Sequence, residues 1–315
     1  MPADSLLPTD AAMDRAVAIL STGGLVGLPT ETVYGLAARG TDPAAVARIY
    51  EAKGRPRFNP LIAHVSGLSM ARGQGVFSAD AEGLAAAFWP GPLTVVVPAA
   101  PGATVCLLAR AGLDTIALRQ PSHPVAAALI TRIGEPLVAP SANPSGRLSP
   151  ITADAVAEGL GDQIELVLDG GPAMVGVEST IVDCTGASPV VLRPGGIPHA
   201  VLEAALGLPI PRSTGDPDAP TAPGQLLRHY APRAALRLNV PAEAPRDPGE
   251  AYLGFGPPAG ALSLSPKGDL AEAAANLFAM LRALDSQFDR IAVAPIPDTG
   301  LGEAINDRLR RAAER

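Results

Sequence analysis

Two stretches of this chain carry residue types able to hold a small polar molecule beside a polyanion. The run Pro29-Thr-Glu-Thr-Val-Tyr-Gly-Leu36 sets two hydroxyls and a carboxylate directly after a short apolar segment. The run Lys53-Gly-Arg55-Pro-Arg57-Phe-Asn59-Pro-Leu61 is a cationic loop that closes a helical pattern. Guanidinium groups make bidentate contacts to phosphate, so Lys53, Arg55 and Arg57 suit a triphosphate clamp. Cations also favour the C-terminal end of a helix, which alone would account for Lys53 but not for an arginine pair in a Gly/Pro loop. Further on, Ala139-Pro-Ser-Ala-Asn143 and Gly176-Val-Glu-Ser-Thr180 add hydroxyl clusters, while Arg119 and Arg193 each close an apolar run. Arg119 would suit a substrate carboxylate.

Each piece also has a plain structural reading. Thr-Glu-Thr after proline is commonly a helix cap or turn. His64 on an apolar strand is commonly a packed core residue, and Ser141, Asn143 and Ser149 in a Pro-rich loop fit turn chemistry. Six clusters at the ends of apolar runs point instead to one site, because open α/β sheets bind ligands at strand ends.

The elements that would position these groups follow from periodicity. Thr9 caps a helix with Met13, Val17 and Leu20 on one stripe, stopped by Gly23-Gly24. Asp42-Pro43 opens a second helix that Gly54 ends. Helices are also predicted over 79–88, 124–130 and 153–160. Short buried strands are predicted over 25–28, 61–65, 93–97, 115–118, 137–139, 164–168, 180–182 and 190–192. This intermixing predicts an α/β domain with a mixed sheet over residues 1–208. Residues 209–232 are crowded with Pro and Gly and read as an extended linker. Residues 233–315 read as a smaller Rossmann-like α/β unit, with strands over 236–240, 251–255 and 291–296, a helix striped by Leu270, Leu277, Leu281 and Phe288, and a last helix after Gly300-Leu-Gly302.

Composition narrows the function classes. At 315 residues and 47% hydrophobic content the chain can bury a sizeable core, and its net charge of −7 disfavours a protein built to coat nucleic acid. Two cysteines, Cys106 and Cys184, exclude a disulfide framework and read as buried thiols. No signal peptide, membrane-spanning run, P-loop, nucleophile elbow or metal-ligand spacing is evident, so a cytoplasmic protein with no protein-bound metal is expected. Gly300-Leu-Gly302 lacks the third glycine of a dinucleotide turn, which argues against a dehydrogenase.

The motifs Pro-Thr-Glu-Thr-Val-Tyr-Gly-Leu, Ala52-Lys-Gly-Arg-Pro, Trp89-Pro-Gly-Pro-Leu-Thr94, Ala139-Pro-Ser-Ala-Asn143 and Gly176-Val-Glu-Ser-Thr180 resemble those of the YrdC-like threonylcarbamoyl-AMP synthases. The likeness runs over residues 10–205. His229-Tyr-Ala-Pro232 and Ala304-Ile-Asn-Asp-Arg-Leu-Arg310 resemble the two-domain form of that family. Phe58 departs from the pattern, where many relatives carry a polar residue. The resemblance implies an open twisted sheet and a nucleotidyltransferase that turns L-threonine, bicarbonate and ATP into threonylcarbamoyladenylate and pyrophosphate. It implies Thr32, His64, Arg119, Ala139 and Ser179 around threonine. It implies Lys53, Arg55, Asn59, Thr115, Ser141, Ser149 and Arg193 around ATP, with His229 and Tyr230 of the linker able to reach the nucleotide. Lys53 and Arg55 would carry the catalytic charge neutralisation. Mg²⁺ would arrive with ATP, and the product would pass to a separate transferase complex that modifies tRNA. An RNA-binding protein with no synthase activity is the alternative, with weak contact to tRNA or double-stranded RNA; the acidic balance weighs against it. A carbamoyl-adenylate enzyme of hydrogenase maturation would need zinc-finger cysteines that this chain lacks.

Overall fold

Capping residues set the helix starts much as the sequence predicts. Thr9 accepts the Ala12 N–H at the start of α1 (Asp10–Ser21), and Asp42 accepts from Ala44 and Ala45 at the start of the helix that Gly54 ends in a left-handed conformation. The computed structural model describes residues 3–213, 222–223, 229–257 and 262–314. Within the first domain α1 is preceded by β1 (Asp4–Leu6) and followed by β2 (Val26–Leu28), β3 (Gly35–Arg39), α2 (Pro43–Lys53), β4 (Ile62–His64), α3 (Leu68–Arg72) and α4 (Ala79–Phe88). Then come β5 (Leu93–Pro98), β6 (Thr115–Arg119), α5 (Pro124–Ile133), β7 (Leu137–Val138), α6 (Ala153–Leu160), β8 (Leu166–Leu168), β9 (Thr180–Asp183), β10 (Val190–Arg193) and α7 (His199–Leu206).

These strands form one mixed ten-stranded sheet in the order β1-β8-β2-β3-β7-β4-β6-β5-β9-β10. Side chains alternate faces along each strand, and the core divides accordingly. Leu36 and Ala38 of β3 pack with α2, α4 and α6, while Ala37 packs on the opposite face with α1 and α5. Near β4, β5, β6 and β9 a third patch formed by Ile62, Val96, Ala117 and Ile181 is met by Ala222 of the linker segment. That stretch of sheet is the floor of the site.

Five elements fall outside the sequence prediction for this domain: β1, β3, α3, α7 and a short 3-10 helix, Gly161–Gln163. The β3 residues Gly-Leu-Ala-Ala-Arg have low strand propensity and form a strand because both faces are buried. Of the predicted linker, residues 214–221 and 224–228 lie outside the described residues.

The second domain comprises β11 (Ala235–Arg237), β12 (Glu250–Gly254), β13 (Leu262–Ser263), α8 (Leu270–Asp285), β14 (Arg290–Val293) and α9 (Gly302–Ala313). Its strands are all parallel, in the order β11-β14-β12-β13. The strand expected over 236–240 stops at Arg237. Asn239 then turns with a φ of 57°, and Val240 rejoins the ladder through its N–H to Val293.

The domains share a core. Val33, Leu148, Ile151, Ala173 and Val177 of the first domain pack with Leu277, Phe278 and Leu281 of α8, and Tyr230 lies among them. Gly176 shows how close the approach is, because a Cβ there would stand 2.3 Å from the carbonyl oxygen of Ala274. A simple tether between independent units does not describe this arrangement.

Candidate active site

Register between neighbouring strands creates the site. His64 of β4 pairs with Arg119 of the parallel strand β6, so the two side chains leave the same face of the sheet at its carboxyl edge. The loop after β2 brings Thr30, Glu31 and Thr32 to that edge. Gly35, the first residue of β3, bridges Ser141 and brings in the 139–143 loop. The result is a cavity whose lining includes one set of residues, Thr32, His64, Arg119, Ala139 and Ser179, and a second set, Arg55, Ser141, Glu178 and Arg193. Pro223, His229 and Tyr230 also line it.

In the first set, Arg119 donates to a Glu31 carboxylate oxygen at 2.7 Å, to the Thr32 hydroxyl at 2.9 Å and to the Gly91 carbonyl at 3.3 Å. Thr32 in turn shares a 2.9 Å hydrogen bond with Thr30. Burial would raise the Glu31 pKa, but the Arg119 guanidinium outweighs it and holds the carboxyl below its ordinary value. His64 is buried beside Arg119, and desolvation followed by that cation pushes its pKa down to about 3. It therefore enters the cavity as a neutral imidazole, with Nδ1 unpartnered among the described residues.

The second set, with Lys53 behind it, is rich in basic side chains. Arg55 donates to the carbonyls of Asn59 and Pro60 at 3.2 and 2.9 Å. Arg193 donates to the Ser179 carbonyl at 2.9 Å and to the Pro223 carbonyl at 3.1 Å. Lys53 lies just behind the lining and donates to the Ser141 carbonyl at 2.5 Å and to that of Asn143. Burial pushes the pKa of all three cations down, that of Arg55 to about 10. Among the described residues none of the three forms a salt bridge. Glu178 offsets part of this charge through Arg193, and the excess left in the buried cluster suits an anion.

Several polar atoms around the cavity also lack partners among the described residues: both amide atoms of Asn59, Oε2 of Glu31, Nδ1 of His229 and the Tyr230 hydroxyl. Tyr230 adopts a φ of 60°, a backbone conformation uncommon outside glycine and recurrent at functional sites. Burial brings the His229 pKa down to about 3. The carboxylates at the site are already engaged, Glu31 by Arg119 and Glu178 by Arg308. Among the described residues no group of three or more His, Cys, Asp or Glu is placed to hold a metal ion.

Nearly all the sequence-predicted residues thus converge. Asn59 and Ser149 do not line the cavity but are buried against residues that do, Asn59 accepting from Arg55 and Ser149 donating to Glu178. Thr115 does not line it: four residues before Arg119 on β6, it sits about 13 Å along the same sheet face. Arg57 and Phe58 are exposed, so the cationic loop turns inward through Lys53 and Arg55. Sequence reasoning missed two partners. Glu31 appeared in the motif but not as the counter-ion of Arg119, and Arg308 appeared only in a C-terminal motif. Glu31 is adjacent to Thr32, and that proximity to a site residue was the available signal; nothing local signals Arg308.

Comparisons with known proteins show the family. Residues 18–195 match the Sua5/YciO/YrdC family model, described as telomere recombination, and residues 197–314 match the model of the threonylcarbamoyl-AMP synthase C-terminal domain. The threonylcarbamoyl-AMP synthase of Bacillus subtilis is 40% identical over 331 residues, covering 98% of this chain and 95% of the relative. That of Pyrococcus abyssi is 41% identical over 320 residues, covering 95% and 93%. The crystal structure of P. abyssi Sua5 complexed with L-threonine superposes with a TM-score of 0.89 at 37% identity, covering 99% of this chain and 97% of that one.

Proposed function

The chain belongs to the Sua5/YciO/YrdC family in its two-domain threonylcarbamoyl-AMP synthase form, and we propose that its cavity joins L-threonine, bicarbonate and ATP into threonylcarbamoyladenylate. One observation carries the reading. Three buried basic side chains that form no salt bridge among the described residues, Lys53, Arg55 and Arg193, gather at a cavity that Thr32, His64, Arg119 and Ser179 also line.

Threonine binds against Thr32, His64, Arg119, Ala139 and Ser179. Arg119 has five N–H groups and spends three on Gly91, Thr32 and Glu31, which leaves two for the amino-acid carboxylate. A neutral His64 can hydrogen-bond the substrate without adding a second charge. The threonine nitrogen bonds to the carbon of bicarbonate and water leaves, giving a carbamate. A carbamate oxygen then attacks the α-phosphorus of ATP, and the bond to pyrophosphate breaks. No residue here need become covalently attached. The protein supplies alignment and a preorganised positive field where negative charge accumulates. ATP extends from the Lys53, Arg55 and Arg193 cluster past Ser141, Asn59 and Ser149 toward Thr115, along the sheet face that Ala222 overlies. Mg²⁺ travels with the phosphates.

His229 and Tyr230 act as a lid. Lining the cavity, they exclude water from a mixed anhydride that hydrolyses readily. The adenylate serves a separate transferase that modifies tRNA. Among the described residues no helix is long and apolar enough to cross a membrane.

The reading is tested by following pyrophosphate. Release should require both L-threonine and bicarbonate, and should fall steeply when serine replaces threonine. Equal release with serine, or with no amino acid, would overturn the threonine assignment.

A further inference from the structure

The least exposed charged side chain at this site comes from the other domain. Arg308 projects from α9 and is 1% exposed. Its Nε donates to Glu178 at 2.7 Å, its Nη2 to the Pro194 carbonyl at 3.0 Å, and its Nη1 to Asp307 at 2.5 Å. The guanidinium carbon lies 5.0 Å from the centre of the Tyr230 ring, within cation–π range. The same helix accepts the His229 N–H on the Arg311 carbonyl at 3.3 Å, and Phe278 of α8 packs 5.7 Å from Tyr230.

Glu178 makes this arrangement consequential. It lines the cavity beside the cations, and its other oxygen accepts the Ser149 hydroxyl at 2.5 Å. An ionised carboxylate there would repel a polyphosphate through a low-dielectric medium. Its charge is nevertheless retained: burial would raise the pKa, but Arg308 and then Arg193 bring it down to about 2. The cavity can therefore admit a triphosphate only if Glu178 is compensated. The cation that touches it comes from a residue 130 positions away, in the second domain.

We propose that Arg308 is a positioning residue of the nucleotide site, through which the C-terminal domain neutralises Glu178 and seats the Tyr230 ring at the cavity. The second domain thereby completes the active site instead of merely adjoining it. The inference rests on the cavity being the nucleotide site, and it adds a residue and a role that the threonine pocket does not need.

The test uses the full chain and reads ATP affinity by calorimetry without threonine, so it does not depend on product formation. Arg308→Gln should weaken ATP by roughly tenfold or more, because it leaves a buried anion facing the phosphates, while threonine affinity stays within about twofold. Adding Glu178→Gln to that variant should restore most of the lost ATP affinity. Arg308→Lys, which keeps the charge but not the planar fork, should bind ATP within a few-fold of the parent while losing adenylate more readily. A role confined to stability predicts otherwise: both substrates weakened alike, a lowered Tm, and no rescue by Glu178→Gln. That pattern, or unchanged ATP binding in Arg308→Gln, would overturn the proposal. If Arg308→Gln does not fold, the double variant and Arg308→Lys decide it by the same affinities. A parent protein that binds ATP but makes no adenylate would count against the synthase reading alone.

Discussion

Arg119 and Glu31 form a buried ion pair at the edge of the cavity, with Nη2 and Oε1 2.7 Å apart and both side chains under a tenth exposed. The pair fixes the guanidinium plane before any substrate enters, which is the kind of preorganisation that a carboxylate-binding site requires.

It follows that two of the three arginines lining the cavity, Arg119 and Arg55, should fail differently. Arg119→Ala removes the carboxylate anchor and strands Glu31, so threonine binding should weaken by roughly 2–4 kcal/mol while ATP binding changes little. Arg55→Ala should do the reverse. Isothermal titration of each variant with each substrate checks this, and loss of ATP affinity alone in Arg119→Ala would exchange the two roles.

Acid should destabilise the fold through three buried groups. His64 and His229 are pushed from 6.5 to about 3, so below about pH 6.5 the unfolded chain takes up protons there that the folded chain does not. Each histidine should cost up to about 1.4 kcal/mol per pH unit as pH falls from about 6 toward 3. Glu178 adds a contribution present above 4.5 and lost as pH falls toward about 2. Chemical denaturation from pH 8 to 4 should give a plateau above about 6.5 and a decline below it, shallower in His64→Gln. A flat profile down to pH 4.5 would show that these imidazoles are not held neutral by burial.

Gly176 sets the distance between the domains. With φ at 75° and Ala275 Cα only 2.4 Å from where a Cβ would lie, Gly176→Ala must push α8 away. We expect a loss of roughly 1–3 kcal/mol from overpacking, together with weaker ATP binding as Arg308 and Phe278 retreat. A variant within 0.5 kcal/mol of the parent, taking that as about the scatter of neutral surface changes, would mean the interface yields easily.

The lid makes a kinetic prediction. Tyr230→Ala removes the ring between Arg308 and Phe278, so pyrophosphate should still be released while adenylate hydrolyses to AMP. The ratio of adenylate to pyrophosphate at early times is the measurement. An unchanged ratio would reduce the linker to a spacer.

How much of this was legible in the sequence depended on range. Helix starts at Thr9 and Asp42 were readable because a cap and its first turn lie within three residues. His64 read as a core residue and entered only through the family resemblance, whereas Thr32 and Arg119 were readable as candidates because both stand at the ends of apolar runs, where ligands bind. The strand β3 was not, since Gly-Leu-Ala-Ala-Arg has no strand pattern and owes its conformation to neighbours on both faces. The short helix α7, one turn of contact around Leu202, offered too few periods to recognise. The Glu31–Arg119 and Glu178–Arg308 pairs span 88 and 130 positions, and no local spacing encodes such a meeting. The shared core of the domains escaped for the same reason: Val33, Val177 and Tyr230 look like loop residues until α8 is packed on them.

The central claim is that this cavity builds a threonine carbamate and passes it to the α-phosphorus of ATP. Incubating the protein with L-threonine, ATP and ¹³C-bicarbonate, and weighing the products by mass spectrometry, tests it most directly. The account predicts threonylcarbamoyladenylate heavier by one mass unit than the product from unlabelled bicarbonate, appearing one for one with pyrophosphate and lost in Arg55→Ala. Pyrophosphate with no labelled adenylate at any time, or ADP and phosphate in its place, would contradict it.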